Sequence, residues 1–158
     1  MQVMEEYPRG VRLTDPELRA WQALLHAHEL VVRRLDGELR AAHGISFDDY
    51  DVLLRLARAP ERTMTMGELA RRIMSPPSTV TRRIDGLVAE GLVVRQRSGE
   101  DSRRVLVTLS DEGGPLVRRA ARTHLRGIRE HFSGRLTPAQ LDQVASALET
   151  IVGPHEPH

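Results

Sequence analysis

The chain has 158 residues, a formal net charge of +1, 40% hydrophobic and 3% aromatic content, enough for one compact domain whose core Leu, Val, Ile and Ala must fill. Zero cysteines exclude disulfides, thiolate metal sites and cysteine redox switching, and no apolar run reaches membrane-spanning length. The near-neutral total hides a polarised map, because Arg62 to Arg104 holds nine arginines against five acids and the remainder fourteen against seventeen, which turns one face toward an anion.

Residues 1–13 lack periodicity, contain Pro8 and Gly10, and read as a flexible arm without the basic start and apolar run of a signal peptide. Thr14 and Glu17 form a capping box, with Pro16 in the first turn. The helix that follows reaches about Ala42 and carries Leu18, Trp21, Leu25, His28, Val32, Leu35 and Leu39 on one face. So long a stripe needs cover. Ser46 caps a second helix, Phe47 to about Ala59, with Tyr50, Leu53, Leu54 and Ala57 inward and Pro60 as its stop. Thr65 and Glu68 box a third, Met66 to Met74, whose inward positions are Leu69, Ala70 and Ile73.

A fourth helix opens at Ser75-Pro76-Pro77, with serine as the cap, and stops at Gly91. Its apolar stripe is Val80, Ile84, Leu87 and Val88, and the opposite side presents Ser78, Thr79, Arg82 and Asp85 with Thr81 and Arg83 on the flanks. Alone, such a helix reads as an ordinary solvated amphipath. Its neighbours change that: a short capped helix precedes it, and the β-branched runs Leu92–Arg97 and Arg104–Leu109 follow, bridged by a polar tip. Helix, turn, helix and basic hairpin make a winged helix-turn-helix with a two-stranded wing. Next, Ser110 and Asp111 cap a helix with the stripe Leu116, Val117, Ala120, Ala121, Leu125, Ile128 and Phe132, in which Pro115 should kink or delay the start. Thr137-Pro138-Ala139-Gln140 boxes a last helix bearing Leu141, Val144, Ala145, Leu148, Ile151 and Val152, and residues 154–158 form a tail.

The expected fold is therefore mostly α with a small two-stranded wing. Residues 46–109 form the DNA-binding domain, and 14–45 with 110–153 form dimerisation helices whose apolar surface exceeds what one copy can bury. A twofold dimer would set two reading helices roughly 34–36 Å apart, in successive major grooves of a near-palindromic operator.

The run Glu90-Gly91-Leu92-Val93-Val94-Arg95, followed by Asp101-Ser102-Arg103-Arg104-Val105-Leu106-Val107-Thr108-Leu109-Ser110-Asp111-Glu112-Gly113, resembles the signature of the MarR family of bacterial transcription regulators (multiple antibiotic resistance regulators). The order of segments is similar to that family across nearly the whole chain. The resemblance implies a homodimeric repressor of transcription released by a small aromatic or anionic effector; without cysteine, the peroxide sensing of some relatives is excluded, and with neither signal peptide nor membrane-spanning run a cytoplasmic protein is the simplest reading.

For double-stranded DNA the candidate contacts are Ser78, Thr79, Thr81, Arg82 and Arg83 in the major groove. Arginine can hold guanine O6 and N7 with two hydrogen bonds, and short hydroxyls reach phosphates or base edges without pushing the helix away. Arg82, opposite the stripe, is the expected base contact and Arg83 the expected phosphate contact; Asp85 would repel phosphate unless paired, with Arg82 the nearest choice. At the wing, Arg103 resembles the family's minor-groove arginine, held by Asp101, and Arg97 and Arg104 would then meet backbone.

Candidate effector residues are Trp21, His28, Tyr50, Asp51, Arg55 and His131, in the region where similar proteins bind phenolic, aromatic-acid or urate-like compounds. Singly, each reads more simply as packing, and Asp51 as a partner of Arg55 one turn away. His26 and His28 do not share a helical face, whereas His124 and His131 do, but no third ligand accompanies them in sequence. Neither a metal, a cofactor nor catalysis is expected: nucleophile elbow, phosphate loop and metalloprotease motif are all missing. The alternatives are an effector-independent or architectural DNA-binding protein and, more remotely, a histidine-metal enzyme or sensor.

Overall fold

Four reciprocal capping boxes, Thr14 with Glu17, Ser46 with Asp49, Thr65 with Glu68 and Thr137 with Gln140, start four of the helices in the computed structural model. It describes residues 12–73, 75–99 and 104–153. In chain order the elements are α1 (Asp15–His43), α2 (Phe47–Arg58), β1 (Thr63–Thr65), α3 (Met66–Arg72), α4 (Pro77–Ala89), β2 (Val93–Arg97), β3 (Val105–Leu109), α5 (Gly113–His131) and α6 (Pro138–Val152). Residues 1–11 of the arm, the tail, Met74 and the tip residues 100–103 lie outside the described residues.

α2 is the hub. Tyr50, Val52, Leu53 and Leu56 are buried where α2 packs on α1, α5, β1 and β3, and they join Leu69, Ile84, Val107, Val117 and Ala120 in one core. Its start is fixed twice over, by the Ser46 box and by Asp36 of α1, whose Oδ1 accepts from the Phe47 amide at 2.8 Å. Burying Val52 and Leu56, and not only the residues of the expected stripe, follows from this central position, since a helix covered on several sides is apolar beyond one face.

The expected two-stranded wing is extended to three antiparallel strands in the order β1-β3-β2. Thr63 pairs with Thr108 and Thr65 with Leu106, and the Thr63 and Thr108 hydroxyls lie 2.8 Å apart. Glu61 and Arg62, at φ 51° and 56°, turn the chain into β1. Three residues are too few to show an alternating pattern, which is why this strand is silent in the sequence.

Two helix starts also differ from expectation. At α4, Pro76 holds the cap position with no side-chain bond, and Ser75 instead turns its hydroxyl to the Ile73 carbonyl at 3.4 Å. At α5, Ser110 accepts from the Gly113 amide at 3.0 Å while donating to the Gly91 carbonyl at 2.7 Å, and the helix proper begins at Gly113. Of the two expected effects of Pro115 the delay is seen: the Gly114 amide meets the Ser110 carbonyl at 3.2 Å, but Pro115 has no amide to add the next bond, so the helix is continuous only from Gly113. Gly113 is required there: a Cβ would sit 2.4 Å from the Leu92 carbonyl oxygen.

α1 and α5 pack along each other, but with a rotated phase on α5. Its buried residues are Gly113, Gly114, Val117, Ala120, Thr123, Gly127 and His131, while Leu125 stays 64% exposed. Only Leu35 and Leu39 of the α1 stripe are buried, and Leu18, Trp21 and Leu25 are not; α6 buries none of its residues.

Candidate nucleic-acid interface

α4 turns Val80, Ile84 and Leu87 fully into the core, so its other side must face out. Ser78, Thr81 and Arg82 are exposed there and Thr79 is half-buried. Val88, expected in the stripe, lies at its edge and is exposed. Arg82 forms no salt bridge among the described residues, leaving its guanidinium available. Thr81 donates to the Pro77 carbonyl at 2.9 Å, a back-bond within the helix.

Arg83 behaves differently. Its Nη2 lies 2.8 Å from Asp48 Oδ2 and its Nη1 3.0 Å from Asp49 Oδ1, which clasp it to the start of α2 and leave its side chain 23% exposed. Asp85 is paired, but with Arg95 of β2 at 2.5 Å and not with Arg82. Its charge is thereby matched, and α4 is tied to β2. Asp48, Asp49 and Arg95 are residues that sequence reasoning missed; partners on separate elements leave no spacing signal.

Between α4 and the α1–α2 corner lies a cleft of about 300 Å³ whose lining includes Arg40, Ser46, Asp49, Thr79, Arg82 and Arg83. Along the hairpin, Arg97 and Arg104 are exposed, and the Ser98 amide donates to the Arg104 carbonyl at 2.9 Å. Arg103 and Asp101 lie outside the described residues. Near the hairpin, Glu68 is held below the usual carboxylate range by the Thr65 backbone and hydroxyl, with Arg71 and Arg104 adding positive charge.

The six effector candidates occupy separate settings. Trp21 and His28 are on the uncovered part of α1. Tyr50 is buried, its ring 4.8 Å from that of His124, and burial pushes its hydroxyl pKa up. Asp51 pairs with Arg55 at 2.9 Å, as i,i+4 spacing implies. His131 is bound to Glu38 of α1, Nε2 to Oε1 at 2.5 Å. His124, not singled out for the effector, is the half-buried neighbour of Tyr50 and Phe47, with ring centroids 4.8 and 5.7 Å away.

A model of the MarR family matches residues 43–104. Mb0904 of Mycobacterium bovis, an uncharacterized HTH-type transcriptional regulator, is 32% identical over 126 residues, covering 78% of this chain and 86% of that protein. AbsC, a MarR family transcriptional regulator from Streptomyces coelicolor, is 29% identical with a TM-score of 0.84, over 90% of this chain and 96% of its own. Sco3205, from the same family and organism and solved in complex with DNA, is 28% identical with a TM-score of 0.86, over 94% and 93%. Among the described residues no helix is long and apolar enough to cross a membrane. With a relative matched over most of both chains and a fold shared over nine-tenths of this one, the chain belongs to the MarR family of transcription regulators.

Proposed function

We propose that this chain is a homodimeric repressor that reads a near-palindromic operator in double-stranded DNA. The carrying observation is the outward face of α4: Ser78, Thr81 and Arg82 stand exposed opposite a fully buried stripe, beside the basic strand ends Arg97 and Arg104. The DNA complex of the similar Sco3205 supports the same reading. In this reading Arg82 contacts a base, Ser78, Thr79 and Thr81 fix the helix in the major groove, and Arg97 and Arg104 meet backbone. Arg103 enters the minor groove, a role resting on the family resemblance. Arg83, clasped by two aspartates, orients the helix and meets phosphate at most with its remaining donors.

Selection of bound sequences from random DNA tests this. Two half-sites related by a dyad, with centres about one helical turn apart, are expected. Recovery of no motif, or of a single half-site, overturns it.

The second element of the proposal is release by a small aromatic or anionic effector at Trp21, His28, Tyr50, Asp51, Arg55 and His131. An effector acts only by binding better to a dimer whose readers are wrongly spaced. The rival, a regulator without effector, is favoured by the separate settings of these six residues, with His131 and Asp51 already partnered. Thermal shift against phenolic and purine-like compounds separates the two: stabilisation together with lost DNA binding supports an effector, and a flat panel supports the rival.

A further inference from the structure

Where α1 crosses the last turn of α5, three metal-binding side chains converge. Glu38 comes from α1, Glu130 and His131 are consecutive on α5, and one ligand atom of each lies within 4.8 Å of the others. In sequence His131 shares a helical face with His124; the fold instead provides it with Glu38, from 93 positions away.

Burial distinguishes this cluster from surface carboxylates. His131 is only 9% exposed. Glu38 Oε2 and His131 Nδ1 are covered and have no hydrogen-bond partner among the described residues. A covered carboxylate oxygen without a donor is destabilising unless a proton or a cation compensates it. The backbone makes room for that carboxylate: a Cβ on Gly127, one turn before His131, would come within 2.8 Å of Glu38 Oε2 and 2.5 Å of Leu35 Cδ2. At this helix crossing a hydrocarbon contact would have been the simple solution, yet a glycine opens space for a charged group aimed at an imidazole.

We propose that Glu38, Glu130 and His131 bind a divalent transition-metal ion, with water completing the coordination. One imidazole and two carboxylates, with no thiolate, suit Zn²⁺, Co²⁺ or Mn²⁺, and the imidazole argues against Ca²⁺ or Mg²⁺. Ligation through His131 Nε2 replaces the hydrogen now held between that atom and Glu38, after which the carboxylate and the ring both face the cation. Glu130, exposed and in no salt bridge among the described residues, swings in as the third ligand. Such an ion pins the middle of α1 to the end of α5, independently of how DNA is read.

The test is calorimetric titration of ZnCl₂ into the chelator-stripped full chain, with Co²⁺ absorption in the visible as a second readout. One Zn²⁺ per chain is expected, with affinity reduced at least about tenfold in Glu130→Gln, the loss that even outer partners of a metal site cause. Glu130 is exposed, so this variant keeps the fold, which an unchanged melt in chelator verifies. Zinc should raise the melting temperature of the parent chain more than that of the variant. Absence of binding at millimolar Zn²⁺, or equal binding by parent and variant, overturns the proposal.

Discussion

Two adjacent arginines on one helix have different surroundings, and the proposed reading gives them different tasks on that ground. Arg82 has no salt bridge among the described residues, while Arg83 is held by Asp48 and Asp49. Arg82→Ala should therefore cost about 1–3 kcal/mol on the preferred DNA site and relax choice at one base pair. Arg83→Ala should lower stability by about 1 kcal/mol, since it breaks a half-buried pair between elements, and weaken all DNA sequences alike. Gel-shift titration on matched and mismatched sites, with a melt of each variant, tells these outcomes apart. A second residue-scale prediction concerns His124, whose pKa burial pushes down while the charge of Asp51 opposes. The unfolded chain takes up this proton near the ordinary value of 6.5 and the folded chain only at lower pH, so acid favours unfolding in that window. His124→Phe should flatten the fall in melting temperature between about pH 7 and 5, measured beside the parent chain. Helical spacing alone revealed the pairing of Asp51 with Arg55 and the placement of Arg82 opposite the stripe. It could not reveal that Asp85 meets Arg95, because that contact crosses from helix to strand.

At the scale of elements, the legible features were those written in local chemistry. Capping boxes located the starts of α1, α3 and α6, and the Ser46 cap that of α2, because each satisfies its own amides within four residues. At α5 the Ser110 cap was legible too, but not the tight seat of Gly113, which is set by the Leu92 carbonyl from a distant part of the sequence. Gly113→Ala should accordingly destabilise by about 1–3 kcal/mol, because the new methyl meets the Leu92 carbonyl and backbone must move. Gly114→Ala is the control: its nearest atoms, Arg62 Nη1 and Arg118 Nη1 at 3.5 and 3.7 Å, are ends of flexible side chains, and alanine favours helix. Denaturant melts of the two variants should diverge in sign or nearly so. The face that α5 buries follows the expected stripe through Leu116, Val117, Ala120 and Ala121 and departs from it beyond, where Thr123, Gly127 and His131 are buried and Leu125 and Phe132 are exposed, because small residues there allow close approach to α1.

For the whole molecule, the distribution of uncovered apolar surface points to pairing. Trp21 is 54% exposed in the single chain and Ile151 of α6 is 75% exposed, as single copies of dimer-forming helices would be. Trp21 is the chain's one tryptophan and thus reports its own cover. On dilution its fluorescence should shift to the red, and the melting temperature should fall with protein concentration. Constant emission down to nanomolar chain would show that these helices do not pair. Which helices lack cover was legible from the length of their stripes, whereas the gathering of Glu38, Glu130 and His131 was not, because it depends on the crossing point of α1 and α5.

The short bond between Asp85 and Arg95 bears on how such a protein could be controlled. In the reading proposed above, helix and hairpin address the same duplex, and this pair couples them across two elements. Being half-exposed, it contributes at most about 1 kcal/mol, so it keeps the two in register without freezing them. A change in how α1 and α5 carry the proposed reader would then reach helix and hairpin together.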